Sequence, residues 1–319
     1  TLGRYHGHLR AHGDGQWGAG LRMRDSGEHN QARDGVIVSA RDLSIEYRSV
    51  SSRFRHTAVC GVSFDLREGE VLGVVGDSGS GKSTLAAAIA GLADSGGPEG
   101  GVGSICGGSL RVFDTELRGI STRARRRLTV KIGYLAQDGA QQLNPRLTVA
   151  ENVAEPIFLR DRRFDSREAG HAVATLVDAV HLPLSILERQ PFELSSGQRQ
   201  RVALARALIL EPILFLADEP ISGVDLMVRH DVLDVIPELQ EARGFSAIVV
   251  SSDLAVLTQV VDRMAVLQGG VIVGIGSLES LVASPEHPYL KSLARAVQEQ
   301  GFPSGRDRGD GPLQKSTSQ

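Results

Sequence analysis

The chain has 319 residues, 41% of them hydrophobic and 23% charged, with a formal net charge of −3. That length holds one large or two small domains with ample core, and the charge balance gives no global pull toward nucleic acid or anionic lipid. There is neither an apolar run of about 18 residues nor an apolar signal core, so the expectation is a chain that neither spans a membrane nor is exported. Cys60 and Cys106 have no metal-ligand spacing and suggest no disulfide framework, which fits a reducing compartment.

In chain order, residues 1–35 are Gly-, Arg- and His-rich without periodicity and read as a disordered tail, with Met23 a candidate for the true start. Residues 36–38, 43–47 and 59–66 read as strands, and 67–70 as a turn into the apolar strand 70–75. A glycine loop follows, then an Ala-rich helix over 85–92. Residues 94–108 read as a Gly-rich loop and 110–113 as a strand. Four arginines lie between Thr122 and Arg127; without interleaved aromatics they read as a solvated helix face rather than a nucleic-acid surface. Residues 132–135 return to strand, ending at Gln137, and 148 to about 187 is helical by its apolar spacing. A further helix begins at or just before Ser195. Residues 213–217, 247–250 and 264–267 are core strands and 271–273 a small one. Helices near 277–283 and 288–298 precede a second disordered tail, 300–319. Apolar strands alternating with helices predict an α/β fold with a largely parallel sheet, and residues 148–195 read as an inserted helical subdomain.

The chemistry concentrates in Gly76-Asp77-Ser78-Gly79-Ser80-Gly81-Lys82-Ser83-Thr84, set between a buried strand and a helix. That context makes a G-x-x-x-x-G-K-[ST] pattern a phosphate site: glycines let the backbone curl its N–H groups onto one anion, and the helix N-terminus adds its field. Lys82 is expected at the β- and γ-phosphates, Ser83 on Mg²⁺ and Thr84 at the α-phosphate. Asp218 and Glu219 end a buried strand at its carboxyl end, where such sheets bind ligands. Asp218 is expected in the Mg²⁺ shell, and Glu219 to polarise the water attacking the γ-phosphate. Ser195 can N-cap the next helix and present a second anion-binding end.

Together these segments resemble the ATP-binding cassette (ABC) family over about residues 36–299. Residues 76–84 resemble its Walker A motif, 213–219 its Walker B motif, and Leu194-Ser195-Ser196-Gly197-Gln198 its L-S-G-G-Q signature. The resemblance implies a P-loop NTPase cassette with a RecA-like core, an antiparallel β subdomain and an inserted helical subdomain. It implies ATP and Mg²⁺ as cofactors, with Gln137 as the Q-loop glutamine that touches the metal, and Tyr47 as the aromatic stacked on adenine. It implies that Ser195, Gly197 and Gln198 face the ATP held by a second cassette, identical or, as the leading expectation, different. Residues 222–225 resemble the D-loop. Further implied partners are transmembrane permease subunits and, indirectly, an extracytoplasmic solute-binding protein, at the cytoplasmic face of a membrane; no nucleic acid is expected.

Leu143-Asn144-Pro145-Arg146-Leu147-Thr148-Val149 and Pro285-Glu286-His287-Pro288-Tyr289 resemble the oligopeptide, dipeptide and nickel importer branch, with 277–299 as its C-terminal extension. With no cysteine after Cys106, the iron–sulfur centre of some members is not expected. Two departures stand out. Ser252 occupies the place of the family's histidine that contacts the γ-phosphate, and Ser196 replaces a signature glycine. The leading expectation is an importer ATPase subunit whose own site hydrolyses slowly or not at all, set against the plainer reading that Glu219 suffices and Ser252 is tolerated. The alternatives are a soluble non-transport ABC ATPase and an ATP-binding regulatory subunit with little turnover.

Overall fold

The computed structural model describes residues 35–48, 55–93, 103–225, 227, 229–261, 263–283 and 285–300. The tails expected at 1–35 and 300–319, with Met23, lie outside the described residues except for Gly35 and Gln300.

The described strands form two sheets. In the first, β1 (Val36–Arg48) lies between β2 (Arg55–Arg67) and β4 (Ser104–Val112), and β5 (Thr115–Glu116) pairs with β4, all antiparallel. The second contains β3 (Val71–Val75), β6 (Ile132–Leu135), β7 (Leu214–Asp218), β8 (Ser246–Ser251), β9 (Arg263–Gln268) and β10 (Val271–Gly276). Its order is β10-β9-β3-β8-β7-β6, parallel throughout except for β10 on β9.

Successive side chains of a strand point to opposite faces, so the second sheet feeds two cores. Val75, Phe215, Ala217, Val249 and Val266 enter one; Leu72, Val74, Leu216, Ile248 and Val250 enter the other. The second core is completed by β1, β2, β4 and α1 (Lys82–Ile89). The first is covered by α3 (Val149–Arg160), α4 (Ser166–Ala179) and α5 (Ser196–Leu208), which follow the surface helix α2 (Thr122–Thr129). Further along, α6 (Arg229–Leu233), α7 (Val235–Arg243), α8 (Leu254–Val260), α9 (Leu278–Ala283) and α10 (Pro288–Gln300) complete the described helices. With both faces covered, β7 and β8 are buried along their whole length, which explains their unbroken apolar runs.

Three local expectations are corrected. The glycine helix begins at Lys82, not Leu85, because Gly81 (φ 101°) takes the N-cap and the motif supplies the first turn. The helical stretch over 148–187 is two helices and a 3-10 turn: Thr148 and Glu151 form a capping box for α3, and Asp165 caps α4 through the amides of Arg167 and Glu168. Residues 104–108, read as loop, are the first half of β4. Their glycines serve a bulge, not a turn: Gly108 has φ 64°, and a Cβ there would collide with the carbonyl oxygens of Asp42 and Arg41 on the kinked β1.

The segment after Gln137 is held by one buried side chain. Asn152 of α3 is fully buried; its Nδ2 donates to the carbonyls of Asn144, Leu147 and Thr148 at 3.1, 3.1 and 2.9 Å, and its Oδ1 accepts from the Asn144 amide at 2.8 Å. Replacing it removes the bonds to the Leu147 carbonyl and the Asn144 amide, and leaves the Asn144 and Thr148 carbonyls with only the amides of Leu147 and Asn152. Asn152→Ala is expected to destabilise the chain by about 2–4 kcal/mol, read as a lowered midpoint in denaturant titration.

Candidate nucleotide site

The phosphate loop lies between the end of β3 and the start of α1, pressed against both sheets. A Cβ on Gly76 would collide with the Leu267 carbonyl oxygen, and one on Gly81 with that of Ala58. Glycine is required at both positions by close approach, and at Gly81 by backbone conformation as well. The Gly270 amide donates to the Ser80 carbonyl at 3.0 Å, while the Gly270 carbonyl accepts from the Cys60 amide at 2.8 Å. Ser80 itself is buried, and among the described residues its hydroxyl has no hydrogen-bond partner.

Lys82 is 5% exposed, and its Nζ donates to the carbonyls of Gly76 and Asp77 at 2.7 and 2.8 Å. Burial lowers the pKa of its ammonium, while Glu219, Asp218 and Asp77 act to raise it. Ser83 Oγ donates to Asp218 Oδ1 at 3.0 Å. Asp218 is buried, and desolvation pushes its carboxyl up to about 6, opposed by the Ser83 hydrogen bond and Lys82. Tyr134 on β6 also borders this carboxylate; burial, then Asp218, raises its hydroxyl pKa.

Glu219 adopts a left-handed backbone (φ 48°), which costs a non-glycine residue on the order of 1 kcal/mol. Its amide donates to the Val250 carbonyl at 2.9 Å. Its carboxylate is held from the other side: Oε1 accepts from the Ser252 amide at 2.7 Å and Oε2 from Ser251 Oγ at 3.3 Å. The residue at the histidine position therefore grips Glu219 through its backbone.

Lys82, Ser83, Glu219, Ser251 and Ser252 border a cavity of about 610 Å³. Ser78, Gly79, Gly81, Lys82, Ser83 and Thr84 form its floor, with Gln137 and Glu219 on the core-sheet side. Tyr47 lines the β1 side, and its hydroxyl shares a hydrogen bond of 2.9 Å with Thr84 Oγ1. Gly76, Ser80 and Asp218 sit behind this lining. The structure does not bring Ser195, Gly197 and Gln198 to the cavity. They form the first turn of α5, where Ser195 and Gln198 make a capping box of 3.2 and 3.0 Å.

Residues 59–222 match the ABC transporter family model. The chain belongs to the ATP-binding cassette transporter family. It is similar to the oligopeptide transport ATP-binding protein OppF of Escherichia coli K12, at 38% identity over 240 residues, 75% of this chain and 69% of that protein. It is also 38% identical over 268 residues to the oligopeptide transport ATP-binding protein OppD of Mycobacterium bovis, covering 82% of this chain and 42% of the longer relative. Among solved structures it resembles the dimeric post-hydrolysis state of the ATP-binding cassette MJ0796 bound to ADP and Pi. That match has a TM-score of 0.66 and 26% identity, over 76% of this chain and 98% of that one. This cassette is thus an ABC-type ATPase with a P-loop α/β core. Among the described residues no helix is long and apolar enough to cross a membrane.

Several lining residues of the cassette escaped the sequence reading. His56 and Ala58 on β2, and Ile221 and Arg229 after Glu219, have no motif of their own. Arg229 had one available signal, its place four residues after Asp225; its Nε donates to the Val224 carbonyl at 3.1 Å.

The glycines make a graded prediction. Gly79 (φ 79°) has open space around its Cβ position, whereas Gly81 meets β2. Gly79→Ala is expected to cost about 1–2 kcal/mol from backbone strain alone. Gly81→Ala should lower the melting temperature further and weaken ATP binding at least about tenfold, read by thermal melts and equilibrium ATP titration.

Proposed function

We propose that this cassette is the ATP-hydrolysing subunit of an importer for peptides or a related small solute, with residues 36–299 as its ATPase domain. The observation that carries the reading is the convergence of Lys82, the Ser83–Asp218 pair and the doubly held Glu219 on one cavity. The oligopeptide names of the OppF and OppD relatives support the cargo class. The dimeric ADP–Pi form of MJ0796 supports a working unit of two cassettes.

In this reading Lys82 exchanges its loop carbonyls for β- and γ-phosphate oxygens, and the loop amides hold the β-phosphate. Tyr47 stacks on the adenine. A magnesium ion fits the donor set of Ser83 hydroxyl, Asp218 carboxylate and Gln137 amide oxygen, an all-oxygen set suited to a hard cation. Asp218 is a buried carboxylate that accepts from the Ser83 hydroxyl, and a cation would stabilise its charged form. Among the described residues no cluster of three or more His, Cys, Asp or Glu could hold a metal alone, so the remaining oxygens come from phosphate and water. The ion's contribution is neutralisation of charge on the phosphates.

Glu219 accepts hydrogen bonds on both oxygens and orients a water for in-line attack, taking its proton as ADP leaves and phosphate forms. Ser195, Gly197 and Gln198, being remote from this cavity, serve the ATP of a partner cassette. The helical segment near 148–160 and the Gln137 loop carry the contact to permease subunits at the cytoplasmic face, and residues 277–299 form the C-terminal extension.

A second reading concerns turnover. Ser252 keeps the backbone bond to Glu219 but offers no imidazole to the γ-phosphate. We infer a slow site, completed by a competent partner or serving as a binding-only regulator. Lys82→Ala is expected to weaken ATP binding at least about tenfold; unchanged binding would overturn the nucleotide reading. Glu219→Gln should keep ATP affinity while lowering hydrolysis by about 10²–10³-fold. Ser252→His should raise kcat with the partner present, whereas an unchanged rate in a steady-state ATPase assay would sink the slow-site reading.

A further inference from the structure

The stretch Pro285-Glu286-His287-Pro288-Tyr289 takes no part in the nucleotide chemistry above, yet three of its residues have defined places. His287 caps α10: its Nδ1 accepts from the Tyr289 amide at 3.2 Å, and its carbonyl accepts from the Lys291 amide at 3.1 Å. Pro288 occupies the first helical position, where a missing N–H costs nothing. Tyr289 extends from that first turn to the phosphate loop, and its hydroxyl donates to Asp77 Oδ1 at 3.1 Å, across 212 positions of sequence.

The C-terminal helices are well seated for this reach. Leu281 of α9 and Leu290 of α10 are buried and pack over Gly274 of β10, where a Cβ would lie 2.9 Å from both side chains. At its other end β10 follows the turn whose Gly270 amide holds the Ser80 carbonyl. The C-terminal region therefore touches the loop twice, once through backbone and once through a side chain. Burial, then the bond to Asp77, pushes the Tyr289 hydroxyl up to about 12, so it remains a donor at any working pH.

Asp77 is the one acidic side chain inside the phosphate loop. Its carbonyl accepts from Lys82 Nζ, while its exposed carboxylate is not part of the cavity lining formed by its neighbours Ser78 and Gly79. A free carboxylate there would sweep the mouth of an anion cradle, and like charges at such range oppose binding.

We propose that Tyr289 is a positioning residue of the nucleotide site, tethering the Asp77 carboxylate outside the path of the triphosphate. The tether rests on the nucleotide reading above and extends it: the C-terminal extension tunes how well the loop receives ATP. It also gives the tyrosine of the stretch a task that packing alone does not require, because phenylalanine would fill the same space.

The test is a double-mutant cycle on the full chain, with ATP itself as the titrated ligand. Tyr289→Phe is expected to raise the Kd for ATP about three- to tenfold, the size of one ordinary hydrogen bond at an exposed site. Asp77→Asn is expected to bind at least as well as the unmodified chain, and adding Tyr289→Phe to it should change Kd by less than about twofold. Equal affinity of Tyr289→Phe and the unmodified chain would overturn the proposal, as would the same loss in both backgrounds, which would reveal packing instead. Failure of the unmodified chain to bind ATP, or binding that Lys82→Ala leaves intact, would instead strike the nucleotide reading itself.

Discussion

A two-bond relay through Gly270 fixes the shape of the phosphate loop. Its amide holds the Ser80 carbonyl and its carbonyl holds the Cys60 amide, so the loop, the β9–β10 turn and the antiparallel sheet share one backbone connection. An anion cradle made of backbone amides works only if those amides stay aimed at one point, because their field adds only while aligned. A glycine-rich loop has large conformational freedom to lose. Here that freedom is removed by packing against carbonyl oxygens of Leu267 and Ala58, which leave no room for a Cβ at Gly76 or Gly81. The two sheets serve the site as the walls of a mould.

Charge at the carboxyl end of the sheet follows from the same confinement. Lys82 and Asp218 come together beside Glu219 at the carboxyl end of the sheet, where desolvation works against the charged forms of Lys82 and Asp218. Lys82 is buried and hydrogen-bonded to two carbonyls, and the burial of Asp218 is opposed by the Ser83 hydrogen bond and by Lys82. Such a cluster is poorly satisfied on its own and well matched to a ligand carrying both negative phosphates and a cation. The polarity of these groups, a lysine turned on its own loop and an acid pushed up to about 6, points in the same direction as the family membership.

How much of this could be read in the sequence depends on the range of the interaction. The phosphate loop and the Ser195 cap are local devices whose partners lie within a few residues, so their residue types announce them. The strand order and the left-handed backbone of Glu219 are not local. Gly107 and Gly108 misled the reading because glycine signals both turns and close strand approach, and only the position of Asp42 on β1 decides between them. Asn152 looked like any helical polar residue, since its four partners are backbone groups whose positions depend on the turn itself. The Tyr289–Asp77 bond joins residues 212 positions apart, beyond any pattern in a single chain.

Ser252 illustrates how a side chain can change while the geometry it borders does not. Glu219 is oriented by the amide of residue 252, by Ser251 Oγ and by the Val250 carbonyl, none of which depends on the side chain at 252. Substitution there is expected to leave the carboxylate aimed and, in the proposed mechanism, to alter only what the cavity offers to the departing γ-phosphate. In the proposed mechanism that difference falls on the transition state, where a preorganised donor counts for more than in the bound ground state. The affinity for ATP, resting on the loop amides and Lys82, would be largely preserved. Under the slow-site proposal a cassette of this build would hold nucleotide and close on a partner while contributing little turnover, and that separation of binding from rate would follow from which atoms of residue 252 touch Glu219.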